Sequence, residues 1–297
     1  MNLAAGIVLG FSGAVCQSFS YIASRWFIRR GHGSTMDLLA AAHILMGAAS
    51  LAILPFICSG PMPQFAAYGW YVAGAAGFYI AGQLALLLAL HGNEASRMVP
   101  MLGLKILVLA LLAAFLRTEP VSWLRWTAVG LSVAAALVLN EAGGRLSGRP
   151  LLLIMFAIVG YSLSDMNIAR LVAALAPMGP SAAVLAACLT YMVCGLFALP
   201  VLIWHRPRDL RGWGRTIPYA ASWYIAMILL YACFGLIGVV FGNIVQSTRG
   251  LLVVVLASAV AHAGFTDIEA KLSRKMFLRR IAAALLMTAS IALYVLG

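Results

Sequence analysis

Ten apolar runs of about twenty residues constrain the fold of this chain more than any other feature. A helix of about 20 apolar residues is long enough to cross the hydrocarbon core of a bilayer. Hydrophobic residues make up 64% of the 297 residues and charged residues only 9%, which is too few charges to cover the surface of a water-soluble domain. We therefore predict an all-α integral membrane protein with ten transmembrane helices. The predicted spans are 2–24, 36–58, 67–90, 95–116, 121–140, 150–173, 181–204, 216–240, 243–264 and 276–296.

Several landmarks recur at a single offset of 150 residues, as if one membrane unit were written twice. The recurring pairs are Gly10-Phe11-Ser12 with Gly160-Tyr161-Ser162, Gly92-Asn93 with Gly242-Asn243, and Glu119 with Glu269. One offset that links three separate regions indicates an internal repeat.

Each repeat holds five spans, and because five is odd the second repeat must enter the membrane from the opposite side. Inverted repeats of this kind are typical of secondary transporters, which bind their substrate between the two halves. We predict a first five-helix repeat over residues 1–142, a linker over 143–150 and a second five-helix repeat over 151–297.

The basic residues are concentrated in the loops that follow odd-numbered spans. These loops hold 15 of the 20 lysines and arginines, whereas the loops after even-numbered spans hold only Arg117 and Arg125. The positive-inside rule places the odd-numbered loops in the cytoplasm and both termini on the other side. The net charge of +12 therefore indicates membrane orientation, and we expect no nucleic-acid partner.

The expected location is a bacterial inner (plasma) membrane, crossed many times. The expected partners are the lipid bilayer and a small-molecule substrate, and the chain is expected to be a monomer or a homodimer. The five cysteines and the histidines at positions 43, 91 and 262 show no metal-ligand spacing, so we expect no metal and no cofactor.

Three ionisable residues fall inside predicted spans, where a charge is costly and therefore a candidate for function. Lys105 is about ten residues from either end of its span, or about 15 Å from either surface. Asp165 shares a helix face with Tyr161 and is a candidate proton carrier. Arg249 is a candidate anion-binding residue. The alternatives are a fixed ion pair between Asp165 and one of the cations, and an Arg249 side chain that extends to the membrane surface.

The repeat offset separates these three charges from the scaffold. Their counterparts at 150 residues are all valines: Val255 for Lys105, Val15 for Asp165 and Val99 for Arg249. Residues needed only for the fold should recur in both halves, so charges that break the symmetry fit an asymmetric ligand. Further candidates for substrate binding are polar residues within spans or at their ends, which also serve to join helices. They are Gln17, Asn93, Asn167, Asn243, Gln246 and Tyr161.

The segment Ala113-Ala114-Phe115-Leu116-Arg117-Thr118-Glu119-Pro120, followed by the apolar span from Trp126 to Leu139, resembles the drug/metabolite transporter superfamily and its EamA-type ten-helix transporters. Many such proteins have a similar "FLGE" turn between the last two helices of each repeat, and Glu269 keeps the glutamate in the second repeat. The resemblance implies that the fifth and tenth helices are peripheral and that the other eight line a central substrate cavity. It also implies cytoplasmic termini, the opposite of the orientation that the charges predict.

We predict a secondary active transporter, not an enzyme, that moves a small polar metabolite by alternating access. Lys105 and Arg249 would hold an anionic group, and Asp165 would balance an amine or carry a proton, a charge set that fits an amino acid or a similar zwitterion. The alternatives are a transporter of phosphorylated metabolites or other organic anions, and a lipid flippase. A remote one is an intramembrane hydrolase, because Gly10-Phe11-Ser12-Gly13 matches a G-x-S-G pattern with His262 as a candidate base.

Overall fold

A computed structural model describes residues 2–58, 62–91, 93–105, 148–205 and 210–296, together with residues 108–109, 122–124, 126–128, 130–131, 134 and 138. The described chain is built from helices. They are α1 (Asn2–Arg29), α2 (Thr35–Ile57), α3 (Phe65–His91), α4 (Ala95–Met98), α5 (Gly148–Ala174), α6 (Ala182–His205), α7 (Ile217–Ser247), α8 (Arg249–His262) and α9 (Arg274–Leu296). Three 3₁₀ helices cover Val99–Leu104, Ala176–Ser181 and Leu210–Thr216.

Seven helical segments of the described chain are long and apolar enough to cross a membrane. They are Leu3–Arg29, Thr35–Ile57, Phe65–His91, Gly148–Ala174, Ala176–Ile203, Trp213–Val239 and Gly242–His262. These correspond to the first three predicted spans and to the sixth through ninth. The prediction of an all-α, multi-span membrane protein is thus confirmed.

Several predictions fall on parts of the chain that the structure does not describe. The fourth predicted span is described only over its first half and the fifth in short pieces, and Gly92, Glu119 and the segment 139–147 lie outside the described residues. The tenth predicted span is the helix α9, which begins with Arg274 and Lys275 and is not among the seven segments. The total of ten spans, the inverted repeat and its boundaries stay predictions.

Local sequence explains where α2 begins. Gly31, with φ of +66°, follows the end of α1 in a conformation that favours glycine. Ser34 then forms a capping box with Asp37: the Asp37 backbone N–H donates to Ser34 Oγ at 3.1 Å, and the Ser34 N–H donates to Asp37 Oδ2 at 2.8 Å. These bonds satisfy donors that the first turn of a helix leaves free.

Three helix pairs form most of the bundle: α1 packs on α7, α3 on α5, and α2 on α6. Glycines allow the closest approaches. A Cβ at Gly160 of α5 would lie 3.0 Å from the Cα of Gly82 in α3. A Cβ at Gly47 of α2 would lie 3.2 Å from the Cα of Gly195 in α6, and the reverse distance is the same. Small residues at such crossings let membrane helices pack backbone to backbone.

Two interruptions of helical geometry shape the centre of the bundle. Gly238, with φ of +79° and ψ of 163°, breaks α7 and redirects its last turns. The second interruption is the 3₁₀ helix Val99–Leu104, which has Pro100 in its first turn. A Cβ on Gly250 of α8 would lie 3.2 Å from the Cα of Pro100. The absence of a side chain at Gly250 therefore brings the start of α8 against the 3₁₀ helix that precedes Lys105.

Candidate functional site

The three intramembrane charges meet at the centre of the described bundle. Lys105 Nζ lies 2.6 Å from Asp165 Oδ2, and both side chains are 5% exposed. Lys105 Nζ also donates to Gln246 Oε1 at 3.4 Å. Of the two cations considered as partners for Asp165, the structure therefore selects Lys105.

Arg249 joins the same network through amides. Its Nη1 donates to Gln17 Oε1 at 2.8 Å, and Gln246 Nε2 donates to the same oxygen at 3.1 Å. Arg249 is 5% exposed, so its side chain turns into the protein and does not extend to the membrane surface. Within the described residues no carboxylate lies within 4 Å of its guanidinium.

Hydrogen bonds from neighbouring helices hold the backbone of both cationic residues. Ser162 Oγ of α5 lies 3.2 Å from the carbonyl oxygen of Lys105, and Ser18 Oγ of α1 lies 3.4 Å from the carbonyl oxygen of Arg249. Each hydroxyl has one hydrogen, which it shares between this oxygen and a nearer carbonyl of its own helix. Lys105 comes directly after the 3₁₀ helix, and Arg249 is the first residue of α8. The site is thus assembled where two helical elements end or begin, supported by α1 and α5.

A small cavity of about 20 Å³ adjoins the charged network. One end is polar, and the other is formed by aromatic and aliphatic side chains. The lining residues are Gln17, Tyr79, Lys105, Tyr161, Ser164, Asp165, Trp223, Met227, Leu230, Gln246 and Arg249.

A second, smaller cavity of about 10 Å³ lies next to the same two cations. Its lining includes Lys105 and Arg249 together with Gly103, Asn243 and Ser247. Because Lys105 and Arg249 line both cavities, their side chains form the partition between them.

The apolar end of the larger cavity is an aromatic wall of three residues, Tyr79, Tyr161 and Trp223. The ring centroids of Tyr79 and Tyr161 are 6.2 Å apart, and those of Tyr79 and Trp223 are 6.0 Å apart. The Tyr79 hydroxyl lies 3.0 Å from His43 Nε2. His43 Nδ1 lies 2.7 Å from the Leu39 carbonyl, to which it donates as a neutral ring, so Nε2 accepts from Tyr79. These two hydrogen bonds fix the position of the Tyr79 side chain in the wall.

Five of the lining residues are absent from the sequence-based set: Tyr79, Ser164, Trp223, Met227 and Leu230. A signal for them exists in the helical spacing. Ser164 is three residues from Tyr161, while Trp223, Met227 and Leu230 follow one another at four and three residues, so each group shares one helix face. The spacing alone does not distinguish a cavity wall from an ordinary packing face.

Three predicted binding amides have a local role instead. Asn93, Asn167 and Asn243 each donate from Nδ2 to the carbonyl four residues earlier, at 2.8 Å. Asn93 and Asn167 line neither cavity. The asparagine side chain is short enough to bond a carbonyl of the preceding turn of its own helix, and both residues do so. Asn243 differs, since it borders the smaller cavity and its buried Oδ1 has no hydrogen-bond partner among the described residues.

The hydrolase alternative gains no support from the geometry. His262 Nδ1 bonds the Ser258 carbonyl of its own helix at 2.8 Å, on an exposed turn. Ser162, the repeat counterpart of Ser12, donates to the Ile158 carbonyl at 2.8 Å. Ser162 therefore bonds within its own helix, as a residue of a helix-packing face does.

Comparison with known proteins identifies the class. Residues 4–141 match the EamA-like transporter family, which belongs to the drug/metabolite transporter superfamily. The predicted resemblance is confirmed, and the match over these residues implies a membrane transporter of the drug/metabolite type. No curated protein matches the chain.

A solved structure, described only as a crystal structure of a protein, is similar in fold. It has a TM-score of 0.63 and 16% sequence identity, with 99% of this chain and 97% of that chain covered. At this identity the likeness concerns the fold alone, and it extends over nearly the whole chain.

Proposed function

We propose that this protein is a secondary transporter of a small metabolite with a carboxylate group. It would move this substrate by alternating access between its two halves. An amino acid is the form of substrate that uses all three charges. The observation that carries the proposal is a buried Arg249 guanidinium that faces a cavity without a carboxylate of its own among the described residues.

The charge balance of the site favours an anionic substrate group. Two buried cations, Lys105 and Arg249, stand against one carboxylate, Asp165. A buried charge is costly unless it is paired, so the described residues leave the equivalent of one positive charge to be balanced. The guanidinium can form two parallel hydrogen bonds with a carboxylate. Arg249 donates one hydrogen bond to the amide oxygen of Gln17. A substrate carboxylate is a stronger acceptor and would take the place of that oxygen.

The cavity marks where a substrate group would bind, but at about 20 Å³ it has room for about one water molecule. A substrate would therefore bind only when the two halves move apart and widen it. With the carboxylate at Arg249, the rest of the substrate would contact Tyr79, Trp223 and Met227. An amine on that substrate would compete with Lys105 for Asp165.

The pairing of helices supports an inverted repeat and hence alternating access. In terms of predicted spans, the first packs on the eighth, the third on the sixth, and the second on the seventh. A shift by five spans exchanges the first two pairs and returns the third to itself, as a two-fold axis between the halves requires. The contact of Gly47 with Gly195 would lie near that axis, since each glycine also faces the carbonyl oxygen four residues before the other, that of Tyr191 or His43.

A second candidate is a transporter of organic anions that lack an amine, phosphorylated metabolites included. The 2.6 Å contact between Lys105 and Asp165 favours it, because Asp165 is already neutralised without a substrate. In this case only Arg249, and Lys105 after it leaves Asp165, would contact the ligand.

Ligand-induced stabilisation of the purified protein tests both candidates, since a ligand that binds the native state raises its apparent stability. The ligands form a matched set: an amino acid, the same molecule without its amine, the same molecule without its carboxylate, and a phosphate monoester. We expect the carboxylated pair to raise the melting temperature and the decarboxylated amine to have no effect. Stabilisation by the acid without its amine, but not by the amino acid, would select the second candidate.

Variants at two arginines make the test specific. Arg249→Gln should abolish the stabilisation by carboxylated ligands, whereas Arg170→Gln, at an exposed arginine near the C-terminal end of α5, should leave it unchanged. Equal stabilisation of wild type and Arg249→Gln by the same carboxylate would refute the proposed site.

A further inference from the structure

A buried ion cluster closes one end of the bundle, on the side of the loops that follow the odd-numbered spans. Arg25, near the end of α1, lies 2.8 Å from Glu269 in the segment before α9, and their side chains are 3% and 1% exposed. Glu269 also accepts hydrogen bonds from the Ala95 backbone N–H at 2.9 Å and from Ser96 Oγ at 3.1 Å. Burial raises the pKa of Glu269, while Arg25 and these hydrogen bonds lower it.

Arg280 of α9 forms the second part of the cluster. Its Nη2 lies 2.6 Å from Glu94 Oε2, and its Nη1 donates to Ser96 Oγ at 2.5 Å. Arg25 completes the cluster by donating to the Ile268 carbonyl oxygen from Nε at 2.9 Å. Arg25 and Arg280 are among the 15 basic residues that the sequence places in the odd-numbered loops, yet they are only 3% and 1% exposed because each is paired with a glutamate.

These contacts join the two halves of the chain. Arg25, Glu94 and Ser96 belong to the first half, and Glu269 and Arg280 to the second. Each ion pair, and each hydrogen bond that Glu269 or Arg280 makes within the cluster, therefore runs from one half to the other. We call these five residues the inter-half latch.

The latch lies directly beyond the cavity along α1. Gln17, Tyr21 and Arg25 follow at four-residue intervals on one helix face, so Arg25 is about 12 Å from Gln17 along the axis. Between them, the Tyr21 ring packs edge-on against the cavity residue Trp223, with centroids 5.7 Å apart. The Tyr21 hydroxyl is buried without a hydrogen-bond partner in the described part of the chain. Water in this region would hydrogen-bond the Tyr21 hydroxyl, so a hydroxyl without a partner fits a region between cavity and ion cluster that is closed to water.

The repeat offset does not reproduce both members of either ion pair. The counterparts of Arg25 and Arg280 are Leu175 and Gly130, which carry no charge, whereas Glu269 is matched by Glu119. If the halves are inverted repeats, the seal at this end is therefore built from ion pairs and the opposite seal cannot contain those two pairs.

We propose that the inter-half latch is the gate that closes the substrate path at this end and opens once in each transport cycle. The inference rests on the proposed function, since a gate presupposes alternating access. Ion pairs suit a reversible seal: their net contribution to stability is small, because the charges lose hydration when they are buried and regain it when water enters.

Thiol accessibility in reconstituted full-length protein tests the gate without any ligand. Ser24, buried on α1 between Tyr21 and Arg25, is replaced by cysteine and labelled by a membrane-impermeant thiol reagent applied from the latch side. The protein without this substitution gives the background from its own five cysteines. We expect Glu269→Gln and Arg280→Gln each to raise the labelling rate at position 24 by about tenfold or more, because loss of a gate contact raises the open population.

The matched control is the exposed ion pair of Arg30 with Asp267, 2.8 Å apart and two residues from Glu269. Asp267→Asn should change the labelling rate by less than about twofold, because exposed pairs contribute little. Unchanged labelling in folded Glu269→Gln and Arg280→Gln would overturn the proposal, and so would failure of both variants to fold, which would make the cluster a structural staple. Normal gate behaviour combined with an Arg249→Gln variant that still binds carboxylates would keep the gate and reject only the substrate assignment.

Discussion

The ion pair between Lys105 and Asp165 permits a quantitative test by a double-mutant cycle. Both side chains are 5% exposed and their charged atoms are 2.6 Å apart. Removal of one partner leaves a buried charge uncompensated, which typically costs about 3–5 kcal/mol. We therefore expect Lys105→Met and Asp165→Asn each to lower the free energy of unfolding by about that amount.

The double variant should recover much of the loss, because it leaves neither Asp165 nor Lys105 as a lone charge. We expect a coupling free energy of about 2–3 kcal/mol, at the upper end for residues in contact. The assay is reversible denaturation of purified protein in detergent micelles, with the four proteins measured side by side. The exposed pair of Arg30 and Asp267 serves as the reference cycle and should give less than about 1 kcal/mol.

Additive losses, within about 0.5 kcal/mol, would show that the two charges do not interact and would refute the arrangement of the site. The same samples report function. Lys105→Met should lose stabilisation by the carboxylated ligand even where it remains folded, because Lys105 and Arg249 together would hold the anionic group.

Three further predictions address coupling, packing and orientation. With a carboxylate substrate that lacks an amine, Asp165→Asn should keep substrate exchange across proteoliposomes but lose accumulation driven by a pH gradient, and retained accumulation would exclude Asp165 as the proton carrier. Gly47→Leu should destabilise the protein by about 1–3 kcal/mol, since even a Cβ would lie 3.2 Å from the Cα of Gly195; Gly77→Ala, where nothing lies within 4 Å, is the control. A cysteine at Gly214, beside the basic loop, should be labelled only from the cytoplasmic side, and labelling of intact cells from outside would reverse the predicted orientation.

The charges at the centre of the site could be predicted from the sequence for a physical reason. A charged side chain in an apolar span is costly unless it is paired or faces a cavity. Lys105, Asp165 and Arg249 were therefore expected to face one another or a cavity. The positions of Gln17 and Gln246 in the site could also be predicted, because a glutamine side chain is long enough to bond residues of another helix. The sequence could not place Asn93 and Asn167, whose shorter side chains bond the carbonyl of the preceding turn.

The rest of the site escaped prediction because its residue types have several uses in a membrane. Tyrosine and tryptophan can line a cavity, but they also occur at the lipid interface and in ordinary packing, so the sequence does not decide which role Tyr79 and Trp223 have. Arg25 and Arg280 stand at helix ends, where basic residues are normally hydrated and set orientation. Only the fold shows that Glu269 and Glu94 lie opposite them and permit their burial.

The 3₁₀ helix Val99–Leu104 has a mechanical consequence for Lys105, which follows it directly. A 3₁₀ helix rises about 2.0 Å per residue with 3 residues per turn, against about 1.5 Å and 3.6 for an α-helix. Rewinding these six residues as α-helix would shorten the segment by about 3 Å and rotate its end by about 120°. Such a local change of pitch would turn the lysine away from Asp165 without requiring a movement of the helices around it.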